Sequence, residues 1–499
     1  MSFPSILRAI GLALLVGSLG TSLALLTIHT NLGGAGDQLT YYAQSARLFP
    51  FTDNYYGPGY YVALRAVHDL LGVEWFTAGK MLSWLSACSL IFLCHLLFRR
   101  LLSMPWNWLA LALVAANPTF ISHSYDSGTW MFGAVWVVAA ILLTVYAESK
   151  ASFVWLLSGL VFGVAFLCRF QALGFFLGAL IGILIRVDSP VAERLRTMAV
   201  VLGGFVLPVA SWNLFLVWYQ GFIPENHNFI HLTVALGKFE SFSEMPDLVN
   251  EYGSFLGVLR ADGAIPAILK MAVKEVLKFP FGVGFSLFFL GAGWLIPGLV
   301  ATVATRGAWA PWFFAFLAGL VLTGLGARGW TAYYVFVLPF AAILIVNGVG
   351  ALARSGIVGL AALQAGLLLV STLLWSPVMV RESFLTKDWP EWSVARAYLQ
   401  ARAGPTDLVS STAGTFPYGT TLSFVDRDEL VRPGQEHELL DRLRARGVTY
   451  LVLTERHGYE EFPSLRYLLA DSLPALPEGF VRELLITTPK RLAIYSVSK

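Results

Sequence analysis

Charge is what this 499-residue chain has least of. Only 13% of its residues are Asp, Glu, Lys or Arg, against 57% that are hydrophobic, whereas a soluble domain carries roughly a quarter charged residues. So little polar surface cannot cover so much apolar side chain in water, which excludes an ordinary soluble globule. Cysteine is scarce as well. Cys88, Cys94 and Cys168 all fall inside apolar runs, so the chain has neither a disulfide framework nor a CxxC metal site. A formal charge of +3 is too mild to argue for nucleic acid as a partner. The sequence contains no P-loop, no GxGxxG before a strand, no HExxH and no GxSxG. The "DRD" at 426–428 is too short and too late to read as a nucleotide-sugar motif. No internal repeat is visible, which weakens an inverted-repeat transporter reading.

What the chain does have is long apolar runs. A bilayer crossing needs about 20 apolar residues, and on that basis spans fall near 7–29, 78–98, 106–122, 129–147, 153–168, 171–187, 197–218, 280–304, 309–326, 332–350 and 356–375. The first reads as an uncleaved membrane helix, because its apolar run after Arg8 is longer than a signal-peptide core. Placing the N-terminus inside puts Arg8, Arg99, Arg100, Lys150, Arg186, Arg194, Arg196, Arg306 and Arg354 on the inner side, as the positive-inside rule requires. The expected fold is therefore mainly α, a polytopic membrane protein of eleven helices. Its long outer loops are 30–77 and 219–279, within a membrane domain over 1–376.

Composition changes beyond that point. Of the 31 acidic residues, 16 lie after Ser376. "EWSVARAYLQAR" and "GQEHELLDRLRARG" read as amphipathic helices, and "DLVSST", "VTYLVLT", "FVRELLI" and "RLAIYSV" as strands. Residues 377–499 are expected to form a small α/β domain on the outer side.

The outer loops hold the candidate chemistry. In "GGAGDQLTYYAQSARLF", Leu39, Tyr42, Ala43, Ala46 and Phe49 recur at helical spacing, with Asp37, Tyr41 and Gln44 on the other face. Such a helix would lie in the interface plane. Asp37 stands where a helix cap stands, and equally where a functional carboxylate would surface. In "YYGPGYYVALRAVHDLLG", Pro58 opens and Gly72 closes a second interface helix. Tyr55, Tyr56, Tyr60 and Tyr61 crowd its start, either as an aromatic belt or as a surface for stacking sugars. "NPTFISHSYDSGTWMF" brings His123 and Asp126 to the next outer turn, where Asp126 again precedes a helix. Arg169 and Arg328 are the basic exceptions among the short outer connections; each either snorkels to headgroups or binds an anion. His227 and His231, four apart, would share a helix face as metal ligands do, with Glu225 nearby. They are equally two polar interfacial histidines, so a divalent metal is a candidate cofactor and no cofactor is certain. "RADGAIPAILKMAVKEVLKF" places Lys270, Lys274 and Lys278 on one stripe, suited to anionic lipid headgroups or a lipid-linked substrate.

In their order and sidedness these segments resemble the GT-C superfamily of membrane glycosyltransferases. The likeness is to the bacterial relatives of protein O-mannosyltransferases and lipid A aminoarabinose transferases. It rests on the outer-loop aspartate before an amphipathic helix, the Pro/Tyr element, the Pro and acidic residue of "NPTFISHSYDSGTWMF", and the Gly-rich "LSGLVFGVAFLCRFQALGFF" ending in a basic residue. It is best over 33–187 and extends to "ARGWTAYYVFVLPF", a late aromatic-basic turn that includes Tyr333. Protein O-mannosyltransferases usually carry Asp-Glu at the first loop, where this chain has Asp37-Gln38. That departure bears on the sugar and the acceptor rather than on the aspartate. The resemblance implies transfer of a sugar, hexosyl or pentosyl, from a polyprenyl-phosphate donor to a glycan, lipid or protein acceptor on the extracytoplasmic side of a bacterial inner membrane. Asp37 would be the general base, Asp126 would assist it or orient a hydroxyl, and Arg169 with Arg328 would stabilise the phosphate leaving group. The competing readings are a transporter or flippase for a lipid-linked glycan, and a non-catalytic assembly protein anchored by its spans.

Overall fold

The computed structural model describes residues 3–26, 37–52, 57–147, 152–186, 189–224, 230–238, 245–282, 294–304, 310–327, 331–385, 389–404, 406–412, 416, 422–425, 438–455, 463–472 and 479–498. The chain divides into two compact units, Met1–Leu26 with Gln44–Val380, and Thr27–Ala43 with Arg381–Lys499.

The first unit is helical. Its elements are α1 (Phe3–Leu26), α2 (Asp37–Arg47, shared between the units), α3 (Pro58–Leu71), α4 (Trp75–Leu101), α5 (Trp106–Ala115), α6 (Pro118–His123), α7 (Thr129–Ala147), α8 (Ser152–Cys168), α9 (Ala172–Leu184) and α10 (Val191–Gln220). After these come α11 (Ile230–Thr233), α12 (Met245–Tyr252), α13 (Phe255–Arg260), α14 (Ala264–Gly282), α15 (Leu295–Ala304), α16 (Ala310–Ala327), α17 (Leu338–Arg354) and α18 (Val358–Leu385). By length and composition α4, α7 and α10 can each cross a bilayer, and shorter apolar helices include α5, α9 and α17.

The expected span at 106–122 is two helices. Pro118 has no N–H to continue α5, and Asn117 caps the new helix by accepting from the Thr119 N–H at 2.9 Å. The expected span at 332–350 likewise begins as a 3-10 turn, Thr331–Phe336, before α17 takes over. Of the span at 280–304, the stretch 283–293 lies outside the described residues.

Helix pairs in this unit close on glycine. A Cβ on Gly178 of α9 would stand 2.1 Å from the Phe314 carbonyl oxygen of α16, and one on Gly204 of α10 would stand 2.4 Å from that of Leu156 in α8. Backbones can approach this closely only where the side chain is a hydrogen, the usual device of packed membrane helices. The result clamps both helices that flank Arg169, α8 against α10 and α9 against α16.

The second unit includes α19 (Pro390–Arg402), β1 (Leu408–Ser411), β2 (Ser423–Phe424), α20 (Leu439–Ala445), β3 (Val448–Thr454), β4 (Phe480–Ile486) and β5 (Leu492–Val497), with a 3-10 turn at Pro463–Leu469. All four expected strands and both expected helices are present. The sheet order is β2-β1-β3-β5-β4, with β1 parallel to β2 and β3, and β5 antiparallel to β3 and β4. Because successive side chains point to opposite faces of a strand, Val452 packs with Trp392 and Leu399 of α19. Leu451 and Leu453 pack instead with Leu443 of α20 and Leu468 of the 3-10 turn.

The first interface helix does not rest as its polar pattern implied. Tyr41, Tyr42, Gln44 and Ser45 are all buried while Ala46 is exposed. Gln44 is accommodated because its amide is used locally. Its Nε2 donates to the Leu48 carbonyl at 3.3 Å, and its Oε1 accepts from the Thr52 hydroxyl at 3.1 Å.

Candidate active site

The chemistry gathers at one end of the helical unit, where α3, α4 and α7 begin and α8 ends. α8 stops at Cys168, and Arg169 follows with its N–H still donating to the Ala165 carbonyl at 2.8 Å. The side chain is 3% exposed, so it is buried rather than snorkelling. Its guanidinium carbon lies 4.1 Å from the Trp130 ring centre and 5.5 Å from that of Tyr333. Nη2 donates a long 3.4 Å hydrogen bond to the Tyr333 hydroxyl. The two rings meet edge to face at 4.6 Å. Gly133 makes room for this cage, since a Cβ there would stand 3.0 Å from the Arg169 Cβ. Aromatic faces attract a cation by about 0.5–2 kcal/mol each when desolvated, so the rings hold the guanidinium without neutralising its charge.

The Pro/Tyr segment sits directly on the end of α8. A Cβ on Gly57 would be 2.3 Å from the Leu167 carbonyl, and one on Gly59 2.5 Å from the Cys168 sulfur. Gly57 also has φ +90°, a backbone region that any other residue adopts only with strain. These glycines bring α3 onto the residue before Arg169 and set Tyr60, fully buried, against Phe132 at 6.0 Å. Ser127 and Asp126 stand close enough to the Tyr60 hydroxyl to act on its ionisation.

Ser127 belongs to the turn carrying the carboxylate. Asp126 Oδ2 is 3.3 Å from His123 Nδ1, with both side chains about six-sevenths buried (15% and 14% exposed). This turn rests on α4 through Ser83, which donates to the Gly128 carbonyl at 3.3 Å, and through Gly79, where any Cβ would collide with the Ser127 hydroxyl. The next residue, Lys80, is 2% exposed. Its ammonium lies 5.4 Å from the Phe76 ring centre, with Asp126 and Glu74 in electrostatic range. Burial, and secondarily the Asp126 charge, push the phenols of Tyr60 and Tyr125 upward. Both therefore stay protonated at neutral pH.

The structure thus brings Asp126, His123 and Tyr60 into one cluster, and Arg169 with Tyr333 into another, joined by the stretch 126–133. Asp37 is the first residue of α2, and its side chain lies outside the described residues. So do Tyr55, Tyr56, Arg328, His227 and the side chain of His231. Among the described residues no three His, Cys, Asp or Glu stand together as a metal site. Sequence reasoning missed Trp130 and Lys80. Trp130 lies two residues after Gly128 as an ordinary apolar residue of α7, and Lys80 is a single charge inside an apolar span. The available signal for Lys80 was that charge itself, costly inside a membrane segment unless it has a role or a partner.

No family model and no curated protein matches the chain by sequence. Solved structures do match. The chain shares the fold of a multi-pass membrane enzyme, and it is itself a multi-pass membrane protein. The particular structures it resembles include the oligosaccharyltransferase of Archaeoglobus fulgidus in its apo form, at 14% identity over 92% of this chain and 70% of that one, with TM-score 0.56. The archaeal oligosaccharyltransferase AglB from Archaeoglobus fulgidus, in complex with an inhibitory peptide and a dolichol-phosphate, matches at 13% identity over the same shares, with TM-score 0.54. ArnT from Cupriavidus metallidurans, bound to undecaprenyl phosphate, aligns over 99% of this chain and 97% of its own at 15% identity, with TM-score 0.49.

Proposed function

We propose that the chain transfers a sugar, hexosyl or pentosyl, from a polyprenyl-phosphate donor to a hydroxyl of a glycan, lipid or protein acceptor. The observation that carries the reading is the buried Arg169 in its Trp130–Tyr333 cage, beside the Asp126–His123–Tyr60 cluster, on a GT-C scaffold. Ring faces bind a cation without cancelling its charge, which suits an anionic phosphate, and an archaeal enzyme of this fold is captured with a dolichol-phosphate. In the proposed step the acceptor oxygen attacks the anomeric carbon as its proton passes to Asp37. The bond from that carbon to the phosphate oxygen breaks on the opposite side, the anomeric configuration inverts, and polyprenyl phosphate leaves. Arg169 stabilises the charge gathering on the departing phosphate. Lys80, within range of Asp126, adds positive charge there, and Arg328 is assigned to the phosphate as well. Asp126, fixed by His123, orients a sugar hydroxyl.

The same reading places this end of the helices and residues 377–499 on the extracytoplasmic side of a bacterial inner membrane, with the N-terminus inside. Residues 1–376 then form the catalytic membrane domain. The test is a purified, reconstituted chain assayed against a panel of polyprenyl-phosphate sugars with membrane-derived acceptors. One donor should support transfer, and Asp37→Asn should lower it by about 10²–10⁴-fold while donor binding persists. Undiminished transfer by that variant would remove Asp37 as the base.

A further inference from the structure

The helices α12 to α14 take no part in the site described above. α14 packs on the 3-10 turn Val234–Leu236, on α13 and on the membrane helix α16. Ala272 is buried there and Ile268 is packed beside Val258, Leu232 and Val321. A second face, about 100° of helix turn from the packed one, is bare. Ile265, Leu269 and Val273 are 57%, 60% and 58% exposed, at successive i, i+4 positions, and Phe255 and Leu256 of α13 are 51% and 59% exposed. Lys270 and Lys274 are exposed too, each one residue, or about 100° of helix turn, from Leu269 and Val273. They border the apolar stripe on the side away from the packed face, and exposed Arg260 closes α13.

An aliphatic stripe bordered by cations, on a helix fastened to a membrane span, has the chemistry of a helix lying in a bilayer interface. Water would leave five large apolar side chains unburied. A bilayer buries them at the acyl boundary while the lysines and Arg260 reach phosphates at its surface. We propose that α13 and α14 form an interfacial foot. Phe255, Leu256, Ile265, Leu269 and Val273 insert into the bilayer, while Arg260, Lys270 and Lys274 engage the headgroups of anionic lipid. The occupant is the lipid surface itself, and the proposal stands or falls independently of sugar transfer.

The experiment places a nitroxide label singly at positions 265, 269 and 273, and at exposed Asp262 as the control. The full-length chain is reconstituted in vesicles of phosphatidylcholine, with and without phosphatidylglycerol. Accessibility to oxygen and to a water-soluble nickel chelate is read by power saturation. The three stripe positions should be oxygen-accessible, with nickel accessibility several-fold below that at 262. Equal nickel accessibility at all four positions would overturn insertion. Exclusion of both reagents at the stripe would overturn it as well, by showing protein in place of lipid. In the Lys270→Glu, Lys274→Glu double variant the label at 269 should become shallower in phosphatidylglycerol vesicles and stay unchanged in phosphatidylcholine. An identical depth in both lipids would overturn the headgroup contact.

Discussion

Two buried arginines, one in each unit, are each stacked on two aromatic rings, yet they are held differently. Arg396 lies 5.2 Å from the Trp392 ring centre and 5.4 Å from that of Phe416, and its Nε donates to the Phe416 backbone carbonyl at a short 2.7 Å. Arg169 sits closer to its first ring, at 4.1 Å, and its bond to the Tyr333 phenol hydroxyl is a long 3.4 Å. A short bond to a buried carbonyl ties chain to chain and serves the fold. A guanidinium pressed on indole with a long bond to a tyrosine is oriented by its rings, and the first of those, Trp130, follows the turn that carries Asp126 and His123. The setting, more than the residue type, separates a structural arginine from a candidate catalytic one.

Substitutions can break that contrast. The largest effect is expected from Arg169→Ala, which should lower sugar transfer on the order of 100-fold, the usual loss when one transition-state charge donor is removed. A small change in thermal stability should accompany it. Arg396→Ala should do the reverse, leaving transfer intact and destabilising the chain by about 1–3 kcal/mol through the orphaned Phe416 carbonyl, read as a lowered midpoint of thermal unfolding. Trp130→Leu should fall between the two. It keeps an apolar filling but loses about 0.5–2 kcal/mol of cation–π attraction, so transfer should drop roughly 2- to 30-fold with Arg169 still present.

The smallest effect tests the support rather than the site. Gln220, the last residue of α10, accepts from the Phe51 N–H at 2.8 Å and donates to the Phe51 carbonyl at 3.0 Å. Together with Phe49 and Phe51 packing on Trp212, it pins the segment between α2 and α3. Gln220→Ala should cost about 1–2 kcal/mol and loosen amide exchange around residues 49–52 before it affects transfer.

Much of this was legible in the sequence. Apolar runs located the helices, alternation located the strands of the C-terminal unit, and a lone basic residue in a Gly-rich apolar stretch singled out Arg169. The break at Asn117-Pro118 was legible in principle, since a cap residue followed by proline is a helix start, but an apolar window averages across it. Tyr41 and Gln44 misled because a polar side chain can be buried once its bonds are made nearby, as Gln44 makes them with Leu48 and Thr52. Trp130 and Lys80 were hidden for another reason. Their roles come from meeting Arg169 and Asp126, residues 39 and 46 positions away, and no local pattern carries such a meeting.

The most direct test of the central claim, that caged Arg169 holds the carrier's phosphate, is the affinity of the purified chain for a polyprenyl phosphate, measured by native mass spectrometry on wild type and Arg169→Ala. Binding should weaken by on the order of 100-fold in the variant, as loss of a charge-assisted contact in a buried site implies. Equal affinity in the two proteins would contradict the assignment.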